Sequence, residues 1–376
     1  MITLNKILIL LVTIEIIFGG GGRLLDPLGI PPLRYILFFV AIILFLINVV
    51  TKGGKTTIQT FGIMILLGSL PIYGTLIGVI QGNFFEKIYF DLQPYIYMIM
   101  LLYVCVNRYD VKEYAISTFI KTSKIYAVLA SVSYITYVIM LHSNFLNFNF
   151  VYGLLSSTGE FFFRPGGAFF AKSFFFIGIG AIAFFCERKI GYFLLCIFAI
   201  FLTETRGVFL FTCVAAMFAS LRINSMLKNI TFISITVFFG AALAIFVGAR
   251  AGNSDAVRLN DFSYVINNIN PISMFFGEGF GSEILGRSRI EVVPLELFYK
   301  IGILGLILSL IPMLYIIFKS INNKLTCISL QMSSIALFSA LVSMTNPFLY
   351  TPMGVYIIGI SLISMENTTR LSKSLD

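Results

Sequence analysis

Long apolar runs follow one another along the whole chain, parted by short polar breaks, and this alternation limits the possible folds more than any single motif does. A helix needs about 20 residues to cross the hydrocarbon core of a bilayer. Runs near that length occur at 4–18, 34–50, 58–81, 88–106, 121–141, 168–186, 190–204, 207–221, 230–249, 295–318, 326–345 and 352–365. Those at 190–204 and 207–221 are short, so their ends should reach into the interface. Strands are excluded as the spanning element: the alternating segments of about ten residues that mark a barrel are missing, and backbone groups in lipid must be satisfied within the segment. Only 11% of the residues are charged and 58% are hydrophobic, against about 25% charged in a soluble domain. The expected fold is therefore an all-α polytopic membrane protein of about twelve transmembrane helices. It forms a single integral membrane domain over residues 1–376, with one long loop at 250–294 between spans nine and ten.

The basic residues set the orientation. With the N-terminus inside, the inner breaks carry four Arg and eleven Lys, and both termini are cytoplasmic. The outer breaks carry Lys87, Lys172 and Lys300 with eight arginines: Arg23, Arg34, Arg164, Arg206, Arg250, Arg258, Arg287 and Arg289. Lysine inside is what insertion explains; arginine outside is not. A guanidinium binds phosphate oxygens bidentately and never deprotonates, so a cluster of them at the outer leaflet suits a pyrophosphate carried on a lipid. The plain alternative is pairing with nearby acids, such as Glu204 beside Arg206, or with lipid headgroups.

Three blocks could carry chemistry. Arg164 stands in Phe163-Arg164-Pro165-Gly166-Gly167-Ala168-Phe169 at the expected mouth of span six, where a helix start would turn free N–H groups toward an anion; Lys172 follows about a turn later. Arg206 lies in Thr203-Glu204-Thr205-Arg206-Gly207, a tight outer hairpin. The long loop ends in Gly277-Glu278-Gly279-Phe280-Gly281, then Arg287-Ser288-Arg289-Ile290-Glu291, then Glu296 through Gly305. No strand precedes the three glycines, so a nucleotide loop is excluded. Glu291 or Glu296 could serve as a general base toward a sugar hydroxyl, or could simply complement a helix start. His142, the single histidine, reads as a solvated loop residue. The five cysteines read as small buried hydrophobes, without disulfides or a metal site. Lys6 and the apolar stretch after it imitate a signal peptide but lack a cleavage site, so a retained first span is expected.

In this order and on this background, Arg164–Phe169, Thr203–Gly207 and the glycine loop leading to Ile301-Gly302-Ile303-Leu304-Gly305 resemble the O-antigen polymerase and O-antigen ligase superfamily of bacterial envelope assembly. The motifs cover about residues 150–310. The resemblance implies a GT-C-like glycosyltransferase in the bacterial inner membrane, with its active site facing the periplasm. It implies undecaprenyl-pyrophosphate-linked oligosaccharides as substrates, no cofactor, no metal and no nucleotide sugar. A chain-length regulator and a flippase are the implied protein partners, and no nucleic acid is expected. Arg164 and Arg206 would hold the lipid pyrophosphate, with Arg287 and Arg289 on the donor pyrophosphate or glycan. The ligase branch carries a His eleven residues before the glycine matching Gly302, where this chain has Glu291, and the departure favours the polymerase (Wzy-type) branch. A ligase, or a lipid-linked oligosaccharide flippase as a different class, are the other readings. A transporter should place ionisable residues near mid-span, whereas most here lie near the expected span ends.

Overall fold

A computed structural model describes residues 2–22, 33–51, 54–164, 167–222, 253–322 and 326–373 with Leu25, Leu28 and Ser234; side chains are described for all of these except 253–255, 322 and 367–373. The described chain is helical, in the order α1 (Ile2–Gly19), α2 (Leu33–Val50), α3 (Ile58–Ile80), α4 (Phe85–Leu92), α5 (Met98–Cys105), α6 (Tyr109–His142), α7 (Phe148–Leu155), α8 (Phe175–Cys186), α9 (Ile190–Leu202) and α10 (Arg206–Arg222). After these come α11 (Asn253–Asn268), α12 (Pro271–Phe276), α13 (Val293–Asn322), α14 (Cys327–Val342) and α15 (Pro352–Lys373). Six helical stretches are long and apolar enough to cross a membrane, and four shorter apolar ones accompany them. The expected ninth span, 230–249, lies outside the described residues.

Every residue of α8 is buried, and a helix that is apolar all round belongs at the centre of a bundle. It packs against α6, α9, α10 and α14. Small residues allow this closeness: a Cβ on Gly180 would stand 2.9 Å from the Ser123 carbonyl and run into Ala127, both on α6. At 34 residues, α6 is about 50 Å long at 1.5 Å per residue. It therefore projects well beyond a bilayer core of about 30 Å.

Three elements differ from the sequence expectation, each for a local reason. The fourth span is one line of helix broken by a 3₁₀ turn at Gln93–Tyr97, because Pro94 cannot donate to the α ladder. The sixth begins later than 168. Phe161–Phe163 and Phe169–Ala171 pair as an antiparallel hairpin, and regular α-helix starts only at Phe175. The long loop contains α11 and α12 instead of running as open coil.

Alternating helix directions gather two sets of connections at opposite ends of the bundle. One end holds a closed lock: the Lys112 ammonium lies 2.7 Å from both the Glu366 carboxylate and the Lys55 carbonyl. Thr57 donates to the same carboxylate through its N–H and its hydroxyl, at 3.1 Å each. The other end gathers the Gly19–Gly22 turn, the Phe161–Ala171 hairpin, the glycine loop, the start of α13 and the α14–α15 connection.

Candidate active site

The glycine loop is a packing device. Gly277, Gly279 and Gly281 have φ of 85°, 79° and 87°, a region open to glycine and costly for other residues. The loop slides between α3 and α13: Phe280 N–H donates to the Gly74 carbonyl at 2.9 Å, Glu278 N–H to Tyr299 and Gly279 N–H to Lys300 at 2.8 Å each. A Cβ on Gly279 would collide with the backbone of Gly78, and one on Gly78 with the Phe280 carbonyl. On α13 the helix is interrupted at Gly302, with φ 65° and ψ −175°, where a Cβ would strike the Phe275 carbonyl. The loop's product is the placement of Phe280, 1% exposed, with its ring 5.3 Å from that of Tyr95.

Beside this ring lies a small cavity of about 40 Å³ with Asp91, Tyr95, Arg289, Glu296, Lys300 and Tyr350 in its walls. Lys300 is its centre. The ammonium sits 2.7 Å from Asp91 and 3.0 Å from Glu296, and also donates to the Ser288 carbonyl. Asp91 and Lys300 have side chains 3% exposed. Two fully desolvated charges survive in a bundle only when held by each other and by further hydrogen bonds, and the second Asp91 oxygen accordingly accepts the Gly281 N–H at 2.8 Å. Glu296 is more open, at 16%.

A larger open cavity of about 540 Å³ adjoins it, sharing Arg289, Pro94, Pro347 and Thr351. Its charged lining is Arg34, Lys172 and Arg289, with no carboxylate. Arg34 is occupied: it donates to Glu15 at 3.0 Å and to the carbonyls of Gly21 and Gly20 at 2.9 and 3.0 Å. The glycine run near the N-terminus thereby gains a reason, since a Cβ on Gly21 would collide with Glu160 and one on Gly22 with the Arg34 guanidinium. Lys172 donates to the Gly159 carbonyl at 3.0 Å and lies 3.7 Å from Glu160. Arg289 donates to the Phe90 carbonyl at 3.0 Å and stacks 5.0 Å above the Phe90 ring; among the described residues it has no carboxylate within ion-pair distance. A narrow, mostly apolar cleft of about 20 Å³, with Val12, Ile16, Leu37, Phe38 and Met100 in its walls, continues from the large cavity past Arg34, its partner Glu15, Tyr97 and Pro352.

Of the seven residues singled out from the sequence, Lys172, Arg289 and Glu296 come together on these cavities. The other four line neither. Glu291 is paired with Arg258 at 2.7 Å and is 45% exposed. Arg287 pairs with the buried Asp261 of α11. Arg164 follows the first strand of the hairpin, where its N–H bonds to the Ala168 carbonyl at 2.8 Å, so it does not sit at a helix start. Arg206 opens α10, next to Gly207, on which a Cβ would meet the Thr345 hydroxyl at 2.6 Å. Asp91, Tyr95 and Tyr350 escaped the sequence reading. An acid within an apolar span is the usual mark of a functional group, so Asp91 was findable; the tyrosines carried no signal. Among the described residues no three His, Cys, Asp or Glu side chains gather to hold a metal ion. The cysteines are free, four of them buried, whereas Cys327 is exposed at the start of α14.

No protein-family model matches the sequence, and no solved structure matches it. An O-antigen polymerase of Shigella flexneri is 45% identical over 371 residues, which is 97% of this chain and 96% of that protein. Identity at that level over nearly the full length of both chains means one fold and one family, and the chain belongs to the O-antigen polymerases.

Proposed function

We propose that this chain polymerises lipid-linked O-antigen repeat units at the periplasmic face of the bacterial inner membrane, as a GT-C-like enzyme of about twelve spans. The reading draws on the apolar runs of the sequence, and on two fastenings that the described residues make at opposite ends of the bundle: Arg222, at the end of α10, donates to the Ser320 and Ile321 carbonyls, whereas Arg258 on α11 meets Glu291. Both termini are cytoplasmic in this reading.

The observation that carries the functional reading is the meeting of two cavities at Arg289, one lined only by cations among its charged groups and one bearing carboxylates. Undecaprenyl pyrophosphate carrying the growing glycan fits the large cavity, with Lys172 and Arg289 on its phosphate oxygens and the isoprenoid chain leaving along the apolar cleft. Arg164 and Arg206 stand on neighbouring hairpins and serve the rim. The hydroxyl of an incoming lipid-linked repeat unit approaches from the small cavity. Its oxygen forms a bond to the anomeric carbon while the bond from that carbon to pyrophosphate breaks. Undecaprenyl pyrophosphate leaves with the electron pair, and the hydroxyl proton passes to a carboxylate and then to water. Glu296 fits this base role better than Glu291, because it lines the cavity and Glu291 does not. The positive field of Arg289 at the departing oxygen is the kind of fixed charge that stabilises a transition state.

The test is to supply the purified chain in detergent with synthetic undecaprenyl-pyrophosphate repeat units. A ladder of lengthened glycans, each step one repeat unit, is expected. Transfer to lipid A core without a ladder would turn the reading to a ligase. Movement of the lipid-linked unit across a vesicle membrane without any product would turn it to a flippase.

A further inference from the structure

We propose that Glu160 is a positioning residue, whose buried carboxylate holds Lys172 toward the large cavity and ties that lysine to the glycine turn after α1. The inference rests on the polymerase reading, in which Lys172 holds pyrophosphate, and adds to it the group that sets where the ammonium stands.

The hairpin register brings the two residues together. Phe161 pairs with Ala171 across the strands, so Glu160 and Lys172 are the next opposite positions, and the Lys172 N–H donates to the Glu160 carbonyl at 3.1 Å. Side chains at opposite positions of an antiparallel pair are within reach of each other. Three residues of one short stretch then surround the Lys172 ammonium. It donates to the Gly159 carbonyl at 3.0 Å, lies 3.7 Å from a Glu160 carboxylate oxygen and stands 5.8 Å from the centre of the Phe162 ring. An ammonium has three donors. Gly159 takes one, and a carboxylate at 3.7 Å attracts without forming a hydrogen bond, so donors remain for a ligand in the cavity that Lys172 lines. The Lys172 side chain is 25% exposed and that of Glu160 2%, and Glu160 is not in the cavity wall. The carboxylate therefore stands behind the cation.

The other Glu160 oxygen reaches a distant part of the chain. It accepts the Gly21 N–H at 2.9 Å. The carbonyls of Gly20 and Gly21 accept Arg34, which is itself paired with Glu15. Lys172, Glu160, the glycine turn, Arg34 and Glu15 thus form one connected wall. Position 21 is shaped for this contact, since a Cβ there would stand 2.4 Å and 2.6 Å from the two Glu160 carboxylate oxygens. Gly20 and Gly22 have positive φ, of 54° and 88°, and Gly21 does not, so an alanine at 21 acts through Glu160 and not through backbone strain. A pair that only fastened the hairpin would close as tightly as Lys112 does on Glu366, at 2.7 Å, and its lysine would not line a cavity.

The experiment is a double-mutant cycle on the affinity for undecaprenyl pyrophosphate, with Glu160→Gln, Lys172→Ala and the two combined. Glutamine keeps the shape and still accepts the Gly21 N–H, so only the charge is removed. Glu160→Gln should weaken binding about tenfold, the lower end of what loss of an orienting outer group costs at a metal centre. In the Lys172→Ala background the same change should cost less than about twofold, because a group acting through Lys172 loses its effect when Lys172 is gone. An equal loss in both backgrounds makes Glu160 a structural residue and overturns the proposal. Unchanged binding in folded Glu160→Gln overturns it too, and so does tighter binding, which would make the carboxylate a competitor of phosphate for Lys172. Should Glu160→Gln not fold, Gly21→Ala, which displaces the carboxylate from the far side, is read in the same two backgrounds; a loss confined to the protein with Lys172 supports the proposal, and any other result refutes it. Elongation is measured separately. Coupling between Glu160 and Lys172 without a ladder supports the positioning role and counts against the polymerase reading, whereas a ladder without coupling keeps that reading and refutes the positioning role. Lys172→Ala binding as tightly as the wild type overturns the proposal together with the assignment of Lys172 on which it rests.

Discussion

The two ends of the bundle use the same charged residues to opposite effect. At the end opposite the cavities, Lys112 closes on Glu366, and Lys124 with Lys189 closes on Glu187. Gln331 adds a hydrogen bond to Glu187 at 3.1 Å. Lys112 and Lys124 each meet a carboxylate from another part of the chain, and the result is a fastening. At the cavity end, Arg289 has only a carbonyl and a ring for company, Lys172 sits 3.7 Å from its nearest carboxylate, and Lys300 shares itself between two. Space is left beside these groups, and the space is as informative as the charge: neutralised pairs hold helices together, while incompletely neutralised ones beside a cavity await a ligand.

The contrast can be broken in several places. Replacing Glu296 by Gln should lower elongation by about 10²–10⁴-fold, the usual worth of a positioned general base, with little change in melting; a ladder at the wild-type rate would return the role to Glu291. Arg289→Ala should cost about 10²–10³-fold in rate, as loss of one fixed transition-state charge does, and should leave stability nearly unaltered because no ion pair is broken. The buried pairs sharpen the comparison further. Removing only Lys300 or only Lys112 strands a desolvated carboxylate and should cost about 3–5 kcal/mol. Replacing both partners by apolar residues, Lys112→Met with Glu366→Leu or Lys300→Met with Asp91→Leu, should recover most of that loss at either end, as read by thermal melting in detergent. Elongation should return only in the Lys112→Met, Glu366→Leu double variant.

The smallest effect concerns pH. Burial pushes the Glu187 carboxyl up, but hydrogen bonds from Lys124, Lys189 and Gln331 outweigh it and hold the group below the ordinary carboxylate range. Its contribution to stability is therefore complete above the unfolded-state value of about 4.3 and fades as the pH falls through the lowered one. The melting difference between wild type and Glu187→Gln should shrink on acidification below that value and stay constant above it.

Much of this was written in the order of the residues. Apolar runs located the helices because their length and lack of charge answer to bilayer thickness alone, and the excess of arginine on one side pointed to the end where the cavities lie. What the runs could not convey was partnership. Arg34, Arg258 and Arg287 look like Arg289 in the sequence, yet each closes on an acid, Glu15, Glu291 or Asp261, 19 to 33 positions away, and only packing reveals which arginine is left over. The glycine loop stood among the blocks that could carry chemistry and is a packing element, because the close approach of two backbones and the approach of a backbone to a ligand require the same residue. Asp91 and Lys300 are more than two hundred positions apart, and nothing local in either predicts their meeting.

The central claim is that pyrophosphate is held at the cavity end by Lys172 and Arg289. Its most direct test is the affinity of the purified chain for undecaprenyl pyrophosphate, measured for the wild type, Arg289→Ala with Lys172→Ala, and Lys124→Ala at the opposite fastening. The account predicts at least a tenfold weakening in the first double variant and none in Lys124→Ala. Equal affinity in all three proteins would contradict it.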